Sequence, residues 1–97
     1  MNGEVLRCKV TVANPHGLHM RPLAAFARRA AEFPCTITVV RDDRRVNGKS
    51  ALELMLLAAE QGTELVLEIQ GDGAPEALEA LAPLLAGSIP EEDPTSS

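Results

Sequence analysis

Hydrophobic and polar positions alternate from Leu6 to Val12, with Leu6, Cys8, Val10 and Val12 on one face and Arg7, Lys9 and Thr11 on the other. A period of two describes a strand with one buried and one wet face. After the turn chemistry of Asn14-Pro15-His16-Gly17 the period lengthens, and Leu23, Phe26, Ala27 and Ala30 recur at helical spacing. This predicts a helix from about His19 to Glu32, stopped by Pro34. Cys35, Ile37 and Val39 alternate with Thr36 and Thr38 as a second strand, and the charged turn Arg41-Asp42-Asp43-Arg44 leads to a short third strand around Arg45 to Asn47. Ser50 and Glu53 form a capping-box pair that opens a helix of roughly ten residues, ended by Gly62. Leu65, Leu67 and Ile69 mark a fourth strand between Glu64 and Ile69, and Leu78, Leu81 and Leu85 a last helix with Pro75 in its first turn. Pro83 removes the hydrogen bond to the Glu79 carbonyl, so a kink or an early end is expected there.

The order is βαββαβα, an α+β arrangement. Four strands with one apolar face each form, most simply, a single antiparallel sheet covered on that face by three helices. At 97 residues the chain supports one hydrophobic core and one domain, placed at residues 1–88. The segment 89–97, Ile-Pro-Glu-Glu-Asp-Pro-Thr-Ser-Ser, has too little apolar surface to offset its ordering entropy and is expected to be a disordered acidic tail.

Composition narrows the function. Apolar residues at 45% and charged residues at 24% describe an ordinary globular protein, with no apolar run of membrane-spanning length. The start Met1-Asn2-Gly3-Glu4 carries no signal-peptide pattern, so a cytoplasmic location without membrane insertion is expected. A net charge of -5 and only two aromatic residues, Phe26 and Phe33, argue against a nucleic-acid partner. Cys8 and Cys35 fit no zinc spacing and read as free thiols on apolar strand faces. His16 and His19 without a third ligand make no metal site, and His16 reads as a solvated turn residue. No metal and no cofactor are expected.

The segment Gly17-Leu18-His19-Met20-Arg21-Pro22 carries the chemistry. Pro22 has a fixed φ and no N–H, so it belongs in a first helical turn, which puts His19 at or beside the N-cap. Unpaired N–H groups and a partial positive charge there favour an anion nearby and an uncharged, nucleophilic imidazole. Arg21 adds a fork of donors suited to phosphate oxygens. Periodicity by itself favours the plainer reading, a histidine that caps a helix and an arginine on its surface.

Gly17-Leu18-His19-x-Arg21-Pro22 resembles the phosphorylation-site signature of HPr, the histidine-containing phosphocarrier family of the phosphoenolpyruvate-dependent phosphotransferase system. A second block, Val46-Asn-Gly-Lys-Ser50, resembles the family's regulatory-serine segment at the matching spacing, and the likeness runs from about Val5 to Leu85. It implies an open-faced β-sandwich and a covalent carrier that is not an enzyme. His19 would take phosphate on Nδ1 from enzyme I and pass it to IIA-type acceptor domains. It further implies partner docking through Met20, Ala51, Leu52 and Met55, and a serine kinase or phosphorylase acting on Ser50. A monomer is expected. The alternative is a regulatory docking module of the same fold that signals phosphorylation state. Leu23 stands where the family usually has Ala, which adds apolar bulk beside the site. Glu53 stands where serine-regulated members have a small residue. The helix after Ser50 has almost no polar face, so part of its apolar surface should be exposed; the resemblance implies that Leu54 and Leu57 are the residues turned inward.

Overall fold

The computed structural model describes residues 5–86, so the tail expected at 89–97 lies outside the described residues. Seven elements follow the expected order: β1 (Val5–Thr11), α1 (Met20–Ala30), β2 (Thr36–Arg41), β3 (Arg44–Asn47), α2 (Ala51–Met55), β4 (Glu64–Gln70) and α3 (Ala74–Ala86). The sheet is antiparallel throughout, in the order β1-β4-β2-β3. The last strand of the sequence is therefore inserted beside the first. Cys8 and Val39 flank Leu67, and Leu6 and Ile37 flank Ile69, so the alternation read in three separate segments becomes two continuous apolar rows.

Helices close these rows from one side. Leu23, Phe26, Ala27 and Ala30 of α1 and Ala74, Ala77, Leu81 and Leu85 of α3 are buried against Leu65, Leu67 and Ile69 of β4. Cys35 is buried in this core and Cys8 is half-buried, and both are free thiols. Leu23 is buried as well, so its bulk fills the core and is not offered to a partner beside the site. Among the described residues no helix is long and apolar enough to cross a membrane.

Two expectations are corrected. The helix after Ser50 spans five residues, not roughly ten, and its end is not set by Gly62. Leu56, Leu57 and Ala58 close it with bonds to residues three back, and the chain then reverses at Ala58, whose φ is 49°. The side chain of Arg41 meets the freed carbonyls, with Nη1 donating to Leu57 O (2.7 Å) and Ala58 O (2.9 Å). At the other helix, α3 does not stop at Pro83. The proline occupies an exposed position in the last turns, while Leu81 and Leu85 on either side anchor the helix in the core.

On the open face Glu68 of β4 lies between two arginines, accepting from Arg45 Nη2 (2.5 Å) and Arg7 Nε (3.1 Å). The Arg45 hydrogen bond, opposed by desolvation and reinforced by the Arg7 hydrogen bond and both positive charges, holds its carboxyl below the ordinary value. A depressed folded value means that the ionised pair stabilises the fold above the unfolded carboxyl range, near pH 4.3, and that this contribution is lost as pH falls through the folded value. Both guanidinium groups are largely exposed, so screening limits the pair to about 0–1 kcal/mol. Glu68→Gln is expected to lower the melting temperature slightly at pH 7, with the gap closing in acid and at high salt. Melting curves from pH 7 to pH 2 check this, and a gap that does not change with pH would rule the ion pair out as its source.

Candidate functional site

The loop leading into α1 is fixed before the histidine is reached. Asn14 organises the turn, its Oδ1 accepting from His16 N (2.9 Å) and its carbonyl from Gly17 N (2.8 Å). His16 is exposed in that turn, as expected. Gly17 has φ 71°, and a Cβ there would stand 2.7 Å from the Ala59 carbonyl oxygen and 3.0 Å from Glu60 Cα. Only glycine allows both the left-handed conformation and this close approach. The Leu18 N–H then bonds Ala59 O at 2.8 Å, which ties the loop to the segment following α2.

His19 is the N-cap of α1, with extended backbone (φ -105°, ψ -171°). Its carbonyl accepts the first helical bond, from Leu23 N at 3.1 Å, but its side chain makes no capping hydrogen bond. The imidazole therefore does not serve the helix as a cap. The exposed imidazole is free for chemistry at the end of an eleven-residue helix. The N–H groups of Met20 and Arg21 lie in the unpaired first turn, and Pro22 has none to leave unsatisfied. The Arg21 side chain is exposed two residues from His19. No acidic residue occupies this turn, so nothing on the helix competes with an incoming anion for its donors. The arrangement can hold a phosphoryl group on the imidazole with backbone and guanidinium donors close by, in an open site from which it can also leave.

Helix α2, which packs against α1, carries the apolar surface expected of the helix after Ser50. Leu52 is 74% exposed, Met55 44% and Met20 47%, whereas Leu54 and Leu57 are buried. Ala51 is half-buried against the core and contributes least to the open surface. Leu56, 59% exposed, adds a further open apolar side chain to this segment, one that the sequence analysis does not single out. Its spacing could have revealed it, because Leu52, Met55 and Leu56 stand at i, i+3 and i+4.

Ser50 caps α2 through Oγ, which accepts from Glu53 N at 3.2 Å. The capping box is not reciprocal. Glu53 Oε1 accepts from Asn47 N (2.9 Å) instead of Ser50 N, which donates to Asn47 O (3.1 Å). The glutamate therefore braces the end of β3 as well as standing in the first turn of α2.

Known proteins share this arrangement. Residues 6–87 match the family model described as the phosphorylation site of the HPr component of the phosphotransferase system. The phosphocarrier protein HPr of Neisseria meningitidis is 39% identical over 87 residues, covering 90% of this chain and 98% of that protein. The HPr-like protein Crh of Bacillus subtilis is 43% identical over 74 residues, 76% of this chain and 87% of that one. The crystal structure of HPr-C-His from Thermoanaerobacter tengcongensis superposes with a TM-score of 0.82 at 35% identity, covering 91% of this chain and 99% of that one. With the family model matching residues 6–87 and a relative 39% identical over 90% of the chain, the protein belongs to the HPr family of phosphocarriers of the phosphotransferase system.

Proposed function

We propose that the chain is a covalent relay that accepts a phosphoryl group on Nδ1 of His19 from the phosphohistidine of enzyme I and passes it to IIA-type acceptor domains. The observation that carries this reading is an exposed N-cap histidine whose side chain performs no capping. In the transfer the His19 lone pair forms a new P–N bond as the donor's P–N bond breaks and the donor imidazole leaves. Arg21 and the first-turn N–H groups stabilise the charged oxygens of the group in flight. Nothing further in the chain is required to turn over, which suits a carrier and not an enzyme. Incubation with enzyme I and phosphoenolpyruvate, followed by intact mass, tests the reading: one phosphoryl group, acid-labile and alkali-stable as a phosphoramidate is, is expected. An unmodified mass under conditions that load another HPr would overturn it.

Docking is assigned to the patch of Met20, Leu52 and Met55, with Ala51 at its edge. A charge on an exposed face costs little in the free protein but must be desolvated in a complex. Leu52→Glu and Met55→Glu are expected to weaken binding to enzyme I by roughly tenfold or more, with stability changed by less than about 0.5 kcal/mol. Phosphorylation of Ser50 by a serine kinase would act through charge. Five residues give α2 only a small dipole, and Glu53 already places a carboxylate in its first turn, so little stabilisation of the fold is expected to accompany the modification. Titration of Ser50→Asp, Leu52→Glu and Met55→Glu against enzyme I, beside thermal melts, checks these assignments. Affinities equal to the unsubstituted protein would remove α2 from the interface.

A further inference from the structure

We infer that Arg41 is a positioning residue for His19, acting from the opposite side of α2 through the turn that ends it; the inference rests on the reading of His19 as the phosphoryl acceptor. Arg41 is the last residue of β2 and continues the inward parity of Ile37 and Val39, which directs its side chain to the helix-covered face. There a single nitrogen, Nη1, donates to two consecutive carbonyls, Leu57 O and Ala58 O. These belong to a turn that is strained on its own, because Ala58 holds a left-handed conformation that L residues other than glycine disfavour. The next carbonyl, Ala59 O, receives the Leu18 N–H at 2.8 Å, one residue before His19. Two hydrogen-bonded links, Arg41 to the Leu57 and Ala58 carbonyls and the Leu18 amide to the Ala59 carbonyl, are thus joined by the covalent backbone of the strained turn into one path to the N-cap. Gly17 lies so close to Ala59 O that a shift of the turn must be felt by the loop.

The path makes a prediction that separates positioning from charge. Both bonds come from one nitrogen, so a lysine ammonium, one bond shorter along the stem but free to donate to more than one acceptor, can replace them, whereas the apolar side chain of methionine cannot. In the full chain, Arg41→Met is expected to raise the hydrogen-exchange rate of the Leu18 amide and to move the His19 imidazole resonances, while the amides of β1 and β4 keep their shifts. Misplacing a nucleophile by a fraction of an ångström to 1 Å slows its reaction by about 10- to 100-fold, so transfer from phospho-enzyme I should fall by about tenfold. Arg41→Lys should restore most of both readouts. Unmoved Leu18 and His19 signals in Arg41→Met would overturn the inference, even if transfer slowed, because the loss would then come from docking. Failure of Lys to rescue either readout would overturn it equally. If His19 of the unsubstituted protein took no phosphate, the reading of function would fall, while the exchange and imidazole measurements would still decide whether Arg41 sets the loop.

Discussion

His19→Ala is expected to abolish phosphoryl uptake from enzyme I completely while leaving the fold intact. The imidazole is exposed and makes no capping bond, so its removal takes no side-chain hydrogen bond from the helix end. Stability should change by less than about 0.5 kcal/mol, the range of surface substitutions away from special features. Uptake, in contrast, has no substitute nucleophile, because His16 stands in a separate turn without the helix end or Arg21. Intact mass after incubation with enzyme I and phosphoenolpyruvate reads the result, with circular dichroism confirming the fold. Phosphate retained in the variant, or mapped to His16, would sink the assignment. Arg21→Lys makes a graded companion: the charge remains but the planar fork is lost, and transfer should slow by about tenfold, equivalent to roughly 1.4 kcal/mol, about one hydrogen bond.

The positions that alternate with period two were legible because each strand buries one face only, and the sheet made from them places every inward residue where the pattern put it. Helix α1 was legible for the same reason, and Pro22 located its first turn within a residue or two. The segment after Ser50 was not. From Leu52 to Ala59 nearly every residue is apolar, so periodicity offered no contrast by which to find an end, and Gly62 was the first conventional stop. The actual stop is a tightened turn with Ala58 in the left-handed region, and the Leu57 carbonyl it frees is met by Arg41, sixteen residues before Leu57, a contact that no local pattern encodes. Leu56 stood out only by its spacing from Leu52 and Met55, a weak signal where every neighbour is equally apolar. At Pro83 a local rule was overridden by tertiary packing: the buried neighbours Leu81 and Leu85 carry the helix past a residue that disfavours it. The candidate site itself was visible as a motif, but the freedom of the His19 side chain was not, because whether a side chain at an N-cap makes its bond depends on its rotamer as well as on its residue type.

Gly17→Ala is expected to be the most damaging single-methyl addition among the described glycines near the site, and it tests whether the loop and the segment after α2 act as one unit. Two costs combine. A left-handed conformation at φ 71° costs an L residue about 1–2 kcal/mol. The new Cβ would also stand 2.7 Å from a backbone oxygen and 3.0 Å from a backbone Cα, neither of which can rotate away, and such overpacking adds about 1–3 kcal/mol. Together these amount to about 2–5 kcal/mol, enough to lower the melting temperature of a domain of this size by roughly 10 °C or more. Gly62→Ala supplies the control, since its φ is 89° but a Cβ there meets nothing within 4 Å. It should show the conformational cost alone. The difference between the two variants then measures the contact between Gly17 and Ala59, and only Gly17→Ala should also disturb the Leu18 amide and slow transfer to His19. Equal losses in both variants would mean that the loop yields without moving the turn, and that the close approach at Gly17 does not position the histidine.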